Sequence, residues 1–73
     1  MERIKELVSG YFMSLDDLIN TLKDAGYEVE DATFEDVTAW GETEDGDDVL
    51  YTIKIDWLRE TLLPTDVTEK VFA

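Results

Sequence analysis

The chain has 73 residues, with nineteen acids against six bases for a net charge of −13, no cysteine and no histidine, while 44% of its residues are hydrophobic. That length gives one domain, spanning 1–73, which buries only about 60% of the surface its unfolded chain exposes, and without cysteine neither disulfides nor thiolate metal sites can supplement its core. The acidity weighs against direct binding to DNA, RNA or an anionic membrane, all of which need surplus Lys and Arg, while the apolar content separates the chain from acidic disordered tails.

The N-terminus, MERIKELVSGYF, holds no long apolar run of the signal-peptide kind. No stretch reaches the roughly 18 apolar residues of a membrane span, so a soluble, cytoplasmic protein is expected. Residues 2–9 have the helical spacing Ile4, Leu7, Val8, and Gly10 is expected to stop that helix. Tyr11, Phe12 and Met13 cannot all point inward from one regular element, so at least one of them is expected to be exposed or at an oligomer contact, with the run covering the end of the core as the favoured reading. Ser14 is a good N-cap, with Asp17 three positions on. Leu15, Leu18, Ile19 and Leu22 form an apolar stripe, and Gly26 stands where a left-handed C-cap belongs, which predicts a helix over 15–25.

Beyond that glycine the period changes. Tyr27 and Val29 alternate with Glu28 and Glu30, and a second extended segment is read from Thr33 to Trp40. The clearest strand is VLYTIKIDW, residues 49–57: Val49, Tyr51, Ile53, Ile55 and Trp57 recur every second position and so share one side of an extended chain. Asp45-Gly46 is a hairpin signal. A two-residue turn there sets Trp40 opposite Tyr51 and Phe34 opposite Trp57; a one-residue bulge sets Val37 opposite Ile55 and Ala39 opposite Ile53, and both registers give a plausible inner face. Trp40 is expected to belong to the core rather than to an interface. Leu58 to Leu63 is read as a short helical stretch ended by Pro64, with Val67 and Val71 on either a last helix or a sheet edge. The expected fold class is α+β: a three-stranded antiparallel sheet with the N-terminal helices packed on one face.

No catalytic constellation assembles. With no His or Cys and serine only at Ser9 and Ser14, a nucleophile and its base cannot be built from the usual residues, and the chain is not expected to be an enzyme or to carry a cofactor. The run Glu42 to Asp48 fails as a calcium loop: with Gly46 sixth, Gly41 falls where an acid is needed and Thr52 where the bidentate glutamate belongs. It reads instead as a solvated hairpin tip, with no metal site.

Acid spacing carries the functional expectation. Alternate residues of a strand lie about 6.6–6.8 Å apart, close to the spacing of phosphates along a nucleic-acid strand, and Glu28/Glu30 and Glu42/Glu44 have the two-residue separation. With Asp45, Asp47 and Asp48 these form the expected partner-binding set, widened by Asp16, Asp17, Asp24, Glu35 and Asp36. The expected partner is a larger basic protein whose nucleic-acid-binding surface answers to negative potential whatever carries it. In size and charge the chain is similar to the small acidic inhibitors that phages and mobile elements carry against restriction, CRISPR or DNA-repair enzymes, a likeness of composition. The alternatives are an interaction or regulatory module, antitoxin-like or an assembly subunit, whose apolar face forms a homodimer, and a small domain adapted to high salt.

Overall fold

The computed structural model describes residues 2–72. Helices α1 (Glu2–Leu7) and α2 (Leu15–Asp24) precede strands β1 (Glu28–Ala32), β2 (Asp36–Glu42), β3 (Asp48–Leu58) and β4 (Thr61–Phe72). The strands form one antiparallel sheet in the order β1-β2-β3-β4. The class is α+β, with four strands where three are expected from the sequence. Among the described residues no helix is long and apolar enough to cross a membrane.

α2 begins and ends on local chemistry. The Ser14 side chain accepts the Asp17 N–H at 3.2 Å, satisfying one of the donors left over at a helix start, and Asp16 and Asp17 lie in the first turn. At the other end Gly26, at φ 95°, closes a Schellman motif: its N–H donates to Lys23 O and the Tyr27 N–H donates to Leu22 O, both at 3.0 Å. α1 stops earlier than the pattern allows, and Gly10 turns the chain at φ 90°. Of the aromatic run, Tyr11 and Met13 are exposed and Phe12 packs on the core.

β3 fixes the core. Val49, Tyr51, Ile53 and Ile55 are buried on one face, together with Val37 and Ala39 of β2 and Leu62 and Val67 of β4; Ile4 and Val8 from the first helical segment and Leu18 and Leu22 from α2 close over them. Trp57, the fifth member of the alternation, is 38% exposed. Its indole Nε1 donates to Phe34 O at 2.8 Å and its ring lies 5.8 Å from that of Phe34.

The β2–β3 register is neither of the two expected. Val37 faces Ile53, Ala39 faces Tyr51 and Trp40 faces Leu50. The hairpin closes through three residues: Thr43 N–H donates to Asp47 O at 2.8 Å, Gly46 N–H donates back to Thr43 O at 3.0 Å, and Gly46 takes a left-handed φ of 86°. This is a turn over 43–46 followed by a left-handed glycine, the usual three-residue hairpin loop. Its consequence is parity. Trp40 goes to the face away from the helices, where it is half-buried and its ring lies tilted against that of Phe72 at 5.3 Å, which corrects the expectation that it belongs to the core.

The segment 58–63 is not helical. Arg59 at φ 62° and Glu60 make a two-residue turn between the paired Leu58 and Thr61, and the chain returns as β4. A helix of some six residues would not repay its own nucleation, whereas the extended form buries Leu62 completely and Val67 nearly so. Phe12 holds the outer side of this turn through two 2.9 Å hydrogen bonds with Leu62. Pro64 falls beside the register shift of an edge strand, where its missing N–H goes unmissed; of the two readings of Val67 and Val71, the sheet edge is the one realised.

Ile53 has no exposed surface and lies at the centre of this core. Ile53→Ala is expected to cost about 2–5 kcal/mol, out of a total of about 4–11 kcal/mol for this length. Urea titration should show the midpoint falling by about a sixth or more; an unchanged midpoint would mean that the core is not organised around β3.

Candidate functional site

The hairpin loop, the start of β1 and the end of β4 meet at one end of the sheet, because Glu28 pairs with Trp40, Glu42 with Asp48, and Asp48 with Phe72. Six of the seven expected residues gather there: Glu28, Glu42, Glu44, Asp45, Asp47 and Asp48. All are exposed except Asp47, which is half-buried. The hairpin tip that carries the five from Glu42 to Asp48 is braced by the Thr43 side chain, whose Oγ1 accepts the Asp47 N–H at 3.0 Å.

Glu30 does not join them as expected. The β1–β2 register jumps between Val29 and Asp31, so Glu30 is the extra residue of a bulge, and Glu28 and Asp31 are the acids that share a face of β1. Glu42 and Glu44 do not form a strand pair either, since Glu44 lies in the turn. The acids therefore form a cap on the end of the sheet rather than a phosphate-like row along its strands. Of the wider set, Glu35 and Asp36 lie at the opposite end of β2 and outside the cap.

Two recesses flank the cap. On the face away from the helices, Glu28 and Asp48 stand on either side of Trp40 around a depression of about 270 Å³. On the helix face a cleft of about 480 Å³ lies among Tyr27, Tyr51, Glu42, Glu44 and Glu69, with Arg3 at its rim. The two tyrosine rings meet edge to face at 5.7 Å and 82°. Gly41 makes that meeting possible: a Cβ there would lie 3.0 Å from both rings. Burial, the Tyr27 hydroxyl and the Glu69 carboxylate together hold the Tyr51 hydroxyl above its ordinary pKa. Arg3 is turned aside, donating to Ala25 O at 3.1 Å with its guanidinium 5.8 Å from the Tyr27 ring centre.

Aromatic edges and faces beside carboxylates make a setting for a positively charged side chain, by cation–π attraction and charge-assisted hydrogen bonding. Among the described residues no three or more acids stand as a metal-binding group. Tyr27, Tyr51 and Glu69 were not among the residues expected to contribute. Nothing in the local sequence marks them, since they meet only when 61–72 is a strand that sets Glu69 beside Tyr51. No family model matches this chain, no curated protein matches it, and no solved structure matches it.

Glu42 and Asp48 are directly opposed like charges in the ladder, an arrangement that destabilises a sheet. Asp48→Asn should stabilise the fold at low salt by about 0.5 kcal/mol, or ~2–4 °C in melting temperature, and the gain should shrink as salt rises; a loss of stability at low salt would show that the cap is not self-repelling. Tyr51 gives a second test. Its folded-state pKa is raised above the unfolded value, so its contribution to stability is complete below about pH 10 and is lost as pH rises through the folded pKa, because the unfolded chain releases the proton first. Denaturation curves should weaken in that window for the native chain and less so for Tyr51→Phe, and equal weakening in both would assign the effect to other groups.

Proposed function

We propose that the chain is a non-catalytic inhibitor that occupies the basic, nucleic-acid-binding surface of a larger protein. The observation that carries this reading is the gathering of six carboxylates on one end of a braced sheet. A concentrated negative cap attached to a folded body presents a cleft lined with Lys and Arg with the potential that the cleft evolved to meet, and steers the encounter over long range. The cap imitates the charge density of a polyanion and not its repeat, since its acids do not follow strand spacing.

Trp40 and the two tyrosines supply what charge alone does not. Trp40 is the kind of residue that anchors interfaces, and it stands between Glu28 and Asp48. The cleft among Tyr27, Tyr51, Glu42 and Glu69 is suited to a single protruding Arg or Lys of the target. Affinity then comes from a few desolvated contacts while the surrounding acids set the approach rate. An interaction module remains the second reading, favoured by the apolar side chains exposed on the face away from the helices and on β4, Phe72 and Val71 among them.

The test uses a purified nucleic-acid-binding enzyme captured on the immobilised chain. Duplex DNA should release it, and affinity should fall on the order of tenfold or more for an about fourfold rise in salt. The triple change Glu44→Gln, Asp45→Asn, Asp47→Asn should weaken binding while leaving the melting temperature unchanged or higher. Binding indifferent to both DNA and salt would remove the inhibitor reading and leave the interaction module.

A further inference from the structure

We infer that the outer edge of β4 pairs with the same edge of a second copy of this chain, joining two four-stranded sheets into one continuous antiparallel sheet. β4 is a twelve-residue strand at the margin of the sheet. Among the described residues its outer side is bridged at Leu62, by Phe12, and nowhere else. An edge of this length is a ready template for another strand unless something blunts it.

The orientation of its backbone follows from β3. Ile55 donates its N–H to Glu35 O and so faces β2. Strand alternation then turns Lys54, Thr52 and Leu50 toward β4, and their partners Asp66, Thr68 and Lys70 face back to β3. Val67, Glu69 and Val71, lying between them, direct their N–H and C=O groups outward. The edge is thus a row of open donors and acceptors at alternate residues.

Charge selects the partner and the register. A two-fold axis through Thr68 sets Val67 opposite Glu69 of the second copy, so that outward groups meet outward groups. It also sets Asp66 opposite Lys70 of the second copy and Lys70 opposite its Asp66, on the face away from the helices. On the helix face Glu69 of one copy arrives beside Val67 of the other, at the depression that Lys5 lines with Val67 and Asp66, giving a further pair of opposite charges. The neighbouring register centred on Glu69 opposes Glu69 to itself, and one centred on Val67 sets Asp66 opposite Thr68 and Lys70 opposite Pro64, with no pair of opposite charges. The stretch 66–70 is self-complementary in one alignment only. A chain of net charge −13 has few bases to place, and two of them, Lys5 and Lys70, stand where a second copy brings an acid.

The antiparallel arrangement also sends the two hairpin tips to opposite ends, so the acidic caps stay apart. The interface is small, which places it among the weaker, concentration-dependent associations. Overall repulsion between two acidic copies is long-ranged and easily screened, whereas the contacts at the junction are short-ranged. Dimer should therefore increase from very low salt to about 0.15 M, the opposite of the salt response of a polyanion mimic on its target, so the two readings fail separately.

Sedimentation equilibrium of the full chain decides the matter. The native chain should show a reversible monomer–dimer equilibrium. Asp66→Lys should weaken it on the order of tenfold or more although it lowers the net negative charge, Lys70→Asp should do the same, and the double swap, which has the native net charge, should restore it. Amide exchange of Val67 and Glu69 in the native chain should slow with protein concentration, a readout that needs no variant to fold. A native chain monomeric at all concentrations and salts, an Asp66→Lys variant that dimerises as well as the native chain, or concentration-independent exchange at Val67 and Glu69 would each overturn the proposal.

Discussion

The pairing of β2 with β3 is the constraint from which the rest follows. Side chains in a strand alternate between faces, so a shift of one residue in that pairing would exchange every buried group for its exposed neighbour. With Val37 opposite Ile53 and Ala39 opposite Tyr51, the small residues of β2 lie under the helices against the large ones of β3. Ala39 and Gly41 leave room on that face, and Tyr27 and Tyr51 fill it. The same parity sends Trp40 outward and sets Glu28 and Asp48 around it.

The three-residue loop that closes this pairing has two effects at once. It holds the register through the left-handed Gly46 and the Thr43–Asp47 bonds, and it crowds five acids between Glu42 and Asp48. Folding there works against electrostatic repulsion, and the burial of twelve side chains among the described residues in one apolar cluster offsets it. A small core tolerates such strain only where water can screen it, and the cap is at the solvated end of the sheet. The location of charge is thus bound up with the location of the core.

The sheet also divides the molecule into surfaces of different character. One end is the acidic cap. The margin along β4 carries charges of both signs, with Asp66, Glu69 and Lys70 within five residues. The face away from the helices bears the Trp40–Phe72 contact, over which Lys70 Nζ lies at 5.4 Å from the Phe72 ring centre. The surfaces meet at Glu69, which both borders the cleft beside Tyr51 and lies on the β4 margin.

Local chemistry was legible in the sequence wherever it completes itself within a few residues. Ser14 with Asp17, and Gly26 after the stripe from Leu15 to Leu22, mark both ends of α2, because a cap and a Schellman motif are closed by neighbours in the chain. The alternation from Val49 to Ile55 declares β3 for the same reason. The hairpin register, the bulge at Glu30, the strand character of 61–72 and the outward position of Trp40 were not legible. Each is decided by what lies across the sheet: a strand's partner sets its register, and Thr61 to Leu63 is extended because Leu62 finds Phe12 and the core. The five acids from Glu42 to Asp48 belonged to the sequence, being neighbours in the chain; that Glu28 and Glu69 come beside them belonged to the tertiary structure, since strand pairing alone brings together residues that the chain holds far apart.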